Sequence, residues 1–350
     1  MQEQTQSWEL LIGTYTNQEG GGIYLLDFYP ATGKLADKRL VAETVNPSYL
    51  AISKNRQYVY TVNETKAGHI SSFRWNEDRS QLIQVDQQPS QGNSPCYVDV
   101  NPEENLLALA NYGSGSILVY NLDDHGMIGE DHVISQHEGS GPVMPNQKAA
   151  HAHCVKFDPQ GKYLYALDLG IDQIIGYPVV TNEIMGKATS ILAFDPGDGP
   201  RHMIFHPLKD MAFVVNELSG SVVSLKVDHE TGLLQRIDRA STLPKNFAGR
   251  NACADIHITA NGKFLYVSNR GHDSIAIFSV SENGELESLG HEPVQGKWPR
   301  NFILSPDEKH LLVANQNSNN ITVFELNPET GLLTFTGNEI SVTRPVVMKF

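Results

Sequence analysis

Short apolar stretches recur along the whole chain, separated by polar turns. A strand-like run leads through a turn of Pro, Asn, Gly and Lys into a second run that ends in Asn or Asp, and a Gly/Ser turn leads into a third run. Val, Ile, Tyr and Phe dominate these runs, and no long segment has the 3.6-residue period of an amphipathic helix. The pattern predicts an all-β protein built from short antiparallel strands.

These runs form six copies of one repeat. The copies begin at Pro47, Pro95, Ala152, Pro200, Ala252 and Pro299, at successive offsets of 48, 57, 48, 52 and 47 residues. Units near 50 residues with about four strands each are typical of the blades of a β-propeller. A two-sheet sandwich gives no reason for a repeat of this period.

A seventh repeat is divided between the two ends of the chain. The segment from Pro345 supplies one strand, PVVMKF, and the segment from Leu10 to Phe28 resembles the second and third strands of the repeat. Pairing them closes the ring and removes the open sheet edge of a linear array. We therefore predict one domain over residues 1–350, a seven-bladed β-propeller whose last blade joins N- and C-terminal strands.

The repeat also predicts which residues share a face. Because the first two strands of a blade are antiparallel, the start of the first and the end of the second lie at the same rim of the central channel. The first-strand positions at this rim are Ser48, Cys96, His153, Arg201, Cys253 and Arg300. The long connections 136–150 and 243–251 open there too, and long loops on one face of a repeat array usually build its binding site.

Positive charge is concentrated at this rim. The residues concerned are Arg201, Arg250, Arg270, Lys297 and Arg300. In an acidic protein such a cluster predicts an anionic small-molecule ligand.

Other polar residues at the rim admit more than one interpretation. His151 and His153 are two apart on an extended segment, so their side chains point the same way and could contact substrate, ligate a metal or pack as polar groups. Glu217 is not demanded by the repeat, and it either acts on a ligand or balances nearby arginines. Asp168 and Asn269 end second strands and are candidate substrate-binding residues, although a recurrent Asn or Asp is most simply explained by hydrogen bonds to its own turn.

Composition narrows the classes of function. The 350 residues carry 26 Lys and Arg against 40 Asp and Glu, a net charge of −14, which argues against a nucleic-acid partner. No apolar run approaches the roughly 20 residues of a membrane-spanning helix. Three cysteines cannot form a disulfide framework and suggest a reducing compartment. The polar start of the chain, 1–7, has no signal-peptide pattern, so we expect a cytoplasmic protein, or a periplasmic one if a leader has been removed.

Four segments carry a family resemblance. GSGPVMPNQKAAHAHCVKFDPQGKYLYALDLGIDQI (139–174), GDGPRHMIFHP (197–207), VVNELSGSV (214–222) and YVSNRGHDSIAIF (266–278) resemble the seven-bladed propeller lactonases. That family includes the bacterial propeller-type 6-phosphogluconolactonases and the fungal carboxy-cis,cis-muconate lactonising enzyme. In the fungal branch the site is a His, two Arg and a Glu, and the resemblance implies His151 or His153, Arg201, Arg270 and Glu217 here.

The resemblance implies hydrolysis of a sugar lactone, with 6-phosphogluconolactone of the pentose phosphate pathway as the first choice. Glu217 or His153 would act as general base, and Arg201 and Arg270 would hold the oxyanion. Arg250 or Arg300 would bind the phosphate. The alternatives are another lactonase or a muconate-type lactonising cycloisomerase at the same rim, or a ligand-binding propeller without catalysis.

No cofactor is required on this account, and the competing expectation is a Ca²⁺ or Mg²⁺ ion at the ring of Asn and Asp residues. We expect neither a nucleic-acid nor a membrane partner, and a monomer or a weak homo-oligomer.

Overall fold

A computed structural model describes residues 6–16, 21–180, 185 and 187–350, which form strands, turns and loops without a helix. Five of the seven N-terminal residues on which the leader prediction rests lie outside this part of the chain. The described residues contain no helix that is long and apolar enough to cross a membrane.

The described residues contain 28 strands in seven four-stranded antiparallel sheets, so the all-β propeller prediction is confirmed. Blade 7 begins with β1 (Trp8–Thr14), β2 (Gly22–Tyr29) and β3 (Lys34–Glu43). Blade 1 contains β4 (Pro47–Ile52), β5 (Tyr58–Asn63), β6 (His69–Trp75) and β7 (Leu82–Pro89). Blade 2 contains β8 (Pro95–Val100), β9 (Leu106–Asn111), β10 (Ser116–Leu122) and β11 (Ile128–Gln136). Blade 3 contains β12 (Ala152–Phe157), β13 (Tyr163–Asp168), β14 (Gln173–Pro178) and β15 (Ser190–Ala193).

The second half of the chain continues the same order. Blade 4 contains β16 (Pro200–Phe205), β17 (Met211–Asn216), β18 (Ser221–Asp228) and β19 (Leu233–Ser241). Blade 5 contains β20 (Ala252–Ile258), β21 (Phe264–Arg270), β22 (Ser274–Val280) and β23 (Leu286–Pro293). Blade 6 contains β24 (Pro299–Leu304), β25 (His310–Asn315), β26 (Asn320–Leu326) and β27 (Leu333–Ser341). The last strand is β28 (Pro345–Lys349).

Blade 7 joins the two ends of the chain, as predicted. Strand β28 pairs antiparallel with β1, with Ile12 opposite Met348 and Gly13 opposite Val347. The resulting strand order is β28-β1-β2-β3, so the C-terminal strand is the innermost one. This pairing covers the edge that β1 would otherwise expose.

Burial is greatest in the second strand of each blade and smallest in the outer strand. Second strands such as β9 and β25 are buried on both faces and read as continuous apolar runs, because a neighbouring blade packs on each side. Most residues of outer strands such as β27 are only partly buried or exposed. The packed blades fix the inner strands, and these carry the candidate site.

A β-bulge interrupts the start of the innermost strands. Pairing skips one residue near the beginning of β4, β8, β12, β16, β24 and β28. The skipped residues are Ser48, Cys96, His153, Arg201, Arg300 and Val346. A bulge leaves its residue outside the ladder and re-aims the side chain. We call the channel rim at these strand starts the upper rim and the opposite one the lower rim.

One predicted position in blade 5 differs from the structure. Pairing runs from Cys253–Asn269 to Ile256–Val267, three residues along β20 against two along β21, so this bulge also inserts one residue. Cys253 therefore pairs as Pro200 does, and Ala254 occupies the place that Arg201 has in blade 4. The prediction that Cys253 occupies this place was wrong.

Each blade adds a second upper-rim residue, the one that follows the Asn, Asp or Thr paired at the start of the innermost strand. These residues are Tyr15, Glu64, Tyr112, Leu169, Glu217, Arg270 and Gln316. The upper rim thus collects two side-chain positions from every blade.

Candidate active site

Glu217 lies between two arginines at the upper rim. Arg201 Nε donates to Glu217 Oε2 at 2.8 Å, and Arg270 Nη2 lies 2.7 Å from the same oxygen. Both guanidinium groups are buried, with side chains 2% and 5% exposed. The structure therefore brings together three residues that the sequence predicted as one site.

The backbone of blade 5 fixes both guanidinium groups. Arg201 Nη1 donates to the Ala254 carbonyl at 2.6 Å. Arg270 donates from Nε to the Ala252 carbonyl and from Nη2 to the Cys253 carbonyl, each at 3.0 Å. Among the described residues, Arg201 Nη2 and Arg270 Nη1 have no hydrogen-bond partner. One N–H-bearing nitrogen of each arginine is thus uncommitted.

The mutual charges set the protonation of this cluster. Burial works against an ionised Glu217, but Arg270, Arg201 and Arg300 together hold the pKa of its carboxyl below the usual value. Burial lowers the pKa of Arg270 to about 10, with Glu217 opposing the shift. Near neutral pH the cluster therefore consists of one carboxylate and two guanidinium cations.

His153 is the bulge residue of blade 3 and lies beside this cluster. Burial, followed by the charges of Arg201, His202, Arg300 and Arg270, holds the pKa of His153 well below its usual range. Its Nδ1 lies 3.8 Å from Cys96 Sγ, and within the described residues no partner contacts its Nε2. The ring is therefore neutral near pH 7 and has one nitrogen available to accept a proton.

Tyr112 separates the two histidines that the sequence could not rank. His151 stacks on the Tyr112 ring at 4.6 Å, and His153 meets the same ring edge-on at 5.4 Å. His151 Nδ1 donates to the Tyr112 carbonyl at 2.7 Å, since a carbonyl only accepts. Burial, then Glu217, raises the pKa of Tyr112 to about 12. His151 is thus tied to the rim backbone, whereas His153 is the histidine surrounded by the arginines.

Two predicted substrate-binding residues prove to be scaffold residues. Asp168 is fully buried and accepts from the backbone N–H groups of His151 and Gly170, while its other oxygen lies 2.8 Å from His137 Nδ1. Asn269 is fully buried as well. Its Oδ1 accepts a hydrogen bond from the Thr242 hydroxyl, and its Nδ2 donates one to the Thr242 carbonyl. Neither has surface left for a ligand, so both predictions were wrong.

The predicted cationic cluster divides into buried and exposed members. Arg300 is the bulge residue of blade 6, its side chain is 15% exposed, and its Nη2 lies 3.8 Å from Glu64 Oε2. Arg250 and Lys297 are exposed on the connections that precede blades 5 and 6. Arg300 is therefore partly buried beside the buried Arg201 and Arg270, whereas Arg250 and Lys297 are exposed.

The sequence patterns did not predict the buried pair of His202 and Asp255 that lies below the arginines. His202 Nε2 accepts from Arg201 Nη1 at 2.9 Å, and His202 Nδ1 lies 2.9 Å from Asp255 Oδ1. Burial, then Arg201, lowers the pKa of His202 to about 3. Asp255 Oδ2 also accepts a hydrogen bond from Asn301 Nδ2, which belongs to blade 6. The signal available in the sequence was that His202 follows the bulge residue Arg201 directly.

Two further polar atoms at the upper rim are buried and unpartnered among the described residues. These are Ser48 Oγ and Gln316 Oε1, which come from blades 1 and 6. Both belong to the two rim positions that each blade supplies. Gln316 Oε1 can accept a hydrogen bond from a ligand's hydroxyl group, and Ser48 Oγ can accept or donate one.

The lower rim has a cavity lined by tyrosines and lysines and lacks the buried arginine cluster of the upper rim in the described part of the chain. This cavity, of about 280 Å³, is lined by Tyr49, Tyr97, Lys156 and Lys349 among others. Lys156 Nζ donates to Asp99 at 2.9 Å, so its charge is already balanced. In the described part of the chain, no group of three or more His, Cys, Asp or Glu side chains is arranged to hold a metal ion.

Comparison with known proteins agrees with this architecture. The family model described as Lactonase, 7-bladed beta-propeller matches residues 9–350. The chain is 34% identical over 341 residues to the 6-phosphogluconolactonase of Bacillus subtilis, covering 97% of each chain. It is 36% identical over 335 residues to the 6-phosphogluconolactonase of Formosa agariphila, covering 93% of this chain and 94% of that one. The solved structure of the periplasmic gluconolactonase PpgL of Pseudomonas aeruginosa superposes with a TM-score of 0.92 at 30% identity, covering 98% of this chain and 99% of that one.

Proposed function

Because this chain belongs to the seven-bladed β-propeller lactonase family, we propose that it hydrolyses 6-phosphogluconolactone to 6-phosphogluconate. The observation that supports this best is the pair of arginines held on Glu217 Oε2 beside the neutral His153. Together they offer the hydrogen-bond donors and the proton acceptor that opening of a lactone requires.

The reaction makes two demands on a site. A water molecule adds to the lactone carbonyl, which places negative charge on the carbonyl oxygen and releases a proton. The bond from that carbon to the ring oxygen then breaks, and the ring oxygen takes up a proton. Fixed donors for the oxyanion and a group that carries the proton meet these demands.

The two arginines suit the oxyanion. Each has one uncommitted nitrogen among the described contacts, and each is held by carbonyls of blade 5 and by Glu217. Because these groups are fixed before the substrate arrives, little reorganisation is required in the transition state. A single oxyanion donor of this kind contributes roughly 10²–10³-fold to the rate.

His153 is the group that suits proton transfer. Its unpartnered Nε2 would take the proton from water and then donate it to the ring oxygen as that oxygen leaves. Glu217 Oε2 is already shared by two guanidinium groups, so Glu217 would position the arginines. Ser48 Oγ and Gln316 Oε1 would bind hydroxyl groups of the sugar.

The test is hydrolysis of freshly generated 6-phosphogluconolactone, measured against its spontaneous decay. Gluconolactone serves as the unphosphorylated substrate, and each assay is run with and without a chelator, because the proposed site uses no metal ion. His153→Ala should lower kcat by about 100-fold or more. His132→Ala, at an exposed histidine of an outer strand, is the matched control and should leave kcat unchanged.

Each outcome has a definite meaning. Acceleration that the chelator leaves intact and that His153→Ala removes would support the proposal. A wild-type protein that accelerates neither lactone would overturn it and favour a different lactone or a binding role. Activity abolished by the chelator would overturn the metal-free mechanism.

A further inference from the structure

Two arginines lie over one tyrosine ring at the blade 6 to blade 7 side of the upper rim. The guanidinium carbons of Arg300 and Arg344 are each 5.1 Å from the centre of the Tyr15 ring. The Tyr15 hydroxyl donates to Glu64 Oε2 at 2.7 Å, which fixes the plane of the ring. The Tyr15 backbone N–H donates to the Arg344 carbonyl at 3.1 Å, so Arg344 is held beside it.

These two guanidinium groups are less engaged than those at Glu217. The nearest carboxylate oxygen to Arg300 is Glu64 Oε2 at 3.8 Å, and that oxygen already accepts from Tyr15. Arg344 has no ion pair with any residue that the structure describes, and its side chain is exposed. Among the described residues, only Arg300 thus has a carboxylate within 4 Å, and Arg344 has none, so both guanidinium groups keep N–H donors for a ligand.

The backbone at Arg344 is unusual for its residue type. Its carbonyl accepts from the rim residue of its blade, as do the carbonyls of Asn46, Ser94, Gly199 and Trp298 in four other blades. All five residues have positive φ, between 43° and 65°. This left-handed conformation favours Gly and Asn, and large side chains adopt it at a cost.

Of these five residues, Trp298 and Arg344 have large side chains, and each side chain packs against another residue of the upper rim. Trp298 lies under Arg270, with the guanidinium carbon 5.4 Å from its ring, and Arg344 lies over Tyr15. Other large residues of this chain, such as Arg56 and Arg79, also have positive φ, so the contact that Arg344 makes with Tyr15 at this rim position is what points to a role.

We propose that Arg300 and Arg344, supported by Tyr15, bind the phosphate ester of the lactone substrate. The proposal rests on the proposed function and adds the residues that select a phosphorylated sugar. A phosphate monoester carries a charge of about −1.5 to −2 near pH 7 and has three acceptor oxygens, which suits two converging guanidinium groups. Arg300 comes from the bulge of blade 6, next to the blade that supplies Arg270, so the phosphate would lie one blade away from the reacting carbonyl.

The decisive variant is Arg344→Asn. Asn suits the left-handed backbone, so the variant should fold at least as well as the wild type, which thermal unfolding checks. We expect KM for 6-phosphogluconolactone to rise about 10- to 100-fold, as for the loss of a charge-assisted hydrogen bond, with kinetics on gluconolactone unchanged. Lys297→Gln, at an exposed rim cation without an aromatic partner, is the matched control and should change neither substrate.

A binding experiment separates this proposal from the catalytic one. Calorimetry with 6-phosphogluconate, gluconate and inorganic phosphate is run on the wild type, Arg344→Asn and Arg300→Gln. We expect 6-phosphogluconate to bind the wild type at least 10-fold more tightly than gluconate and both variants to lose that preference. This result would stand even if the wild type hydrolysed neither lactone, which would refute the catalytic proposal alone.

Three results would overturn the subsite. One is an Arg344→Asn protein that keeps the wild-type preference for the phosphorylated ligand. Another is a variant that loses both ligands or both substrates equally, because that would make Arg344 a general support of the rim. Binding of inorganic phosphate without any preference for 6-phosphogluconate over gluconate would likewise contradict it.

Discussion

Arg270 Nη2 lies 2.7 Å from Glu217 Oε2, although the two residues belong to different blades. Glu217 follows the second strand of blade 4, and Arg270 ends the second strand of blade 5. The carbonyls that hold Arg270 are those of Ala252 and Cys253 in the first strand of its own blade. The position of its guanidinium group therefore depends on how two neighbouring blades pack, and the closed ring of blades sets that packing.

Arg270→Ala should abolish most of the activity. The change removes one oxyanion donor and leaves Glu217 with Arg201 as its close partner, so we expect kcat/KM to fall by roughly 10²–10³-fold. Steady-state hydrolysis of the lactone, corrected for spontaneous decay, measures the loss. Arg236→Ala is the control, because Arg236 pairs with Asp195 on the outer surface of blades 3 and 4. Normal turnover by a folded Arg270→Ala protein would remove Arg270 from the mechanism.

Glu217→Gln should separate binding from turnover. The substitution keeps the shape of the side chain but removes the negative charge that the two arginines share, so the site becomes more positive. We expect tighter binding of the anionic product and a kcat lowered by about 10-fold or more, because the arginines lose their anchor. Calorimetry with 6-phosphogluconate and kcat measured on the same preparation check the two effects. Weaker product binding together with an unchanged kcat would contradict the assigned role.

The sequence allowed the blade boundaries to be predicted because the repeat is local. Pro47, Pro95, Pro200 and Pro299 begin the innermost strands β4, β8, β16 and β24, as the spacing indicated. Placing Arg201 and Arg270 at one rim needed only the antiparallel order of two strands. The sequence pattern therefore predicts which residues of the same blade lie side by side.

Contacts that depend on hydrogen-bond direction or on the exact pairing register could not be predicted in this way. Asp168 ends β13 and Asn269 is the last residue but one of β21, but their side chains turn back to the scaffold. Cys253 pairs with Asn269 as Pro200 pairs with Asn216, so Ala254 lies where the repeat suggested Cys253. The role proposed for Arg344 was not predicted, because it rests on the contact with Tyr15 and on a backbone conformation shared with Asn46 and Gly199, and the sequence shows neither.

The pH dependence of activity should reveal the depressed pKa of His153. Burial and the nearby arginines keep this imidazole neutral well below pH 6.5, so a base at this position stays active as the pH falls. We expect kcat/KM to be nearly constant from pH 7.5 to about 5.5 and to decline only below that range. Both lactones are assayed, since a limb near pH 6 that appears only with the phosphorylated substrate belongs to its phosphate. A decline centred near pH 6.5 with both substrates would contradict a base with the depressed pKa that the surroundings of His153 imply.

Buried neutral histidines should also make the fold sensitive to acid. The pKa of His202 is lowered to about 3 by burial and by Arg201, whereas an unfolded histidine titrates near 6.5. Between these values the unfolded chain binds a proton that the folded chain excludes, so the free energy of unfolding falls as the pH falls, by about 1.4 kcal/mol per pH unit for this residue. Asp255, whose pKa is held well below 3.8 by His257 and His202 against the effect of burial, loses its contribution only at lower pH.

Urea unfolding at pH 6.5, 5.5 and 4.5 therefore isolates the histidine effect. His202→Gln should be less stable than the wild type at pH 6.5, because Arg201 and Asp255 lose their shared partner. Its stability should nevertheless fall less steeply with acid, by about 1.4 kcal/mol per pH unit. His125→Gln, at an exposed turn, should keep the wild-type slope. Equal slopes for wild type and His202→Gln would mean that His202 becomes protonated in the folded protein, and the hydrogen bond from Arg201 to its Nε2 could not then persist.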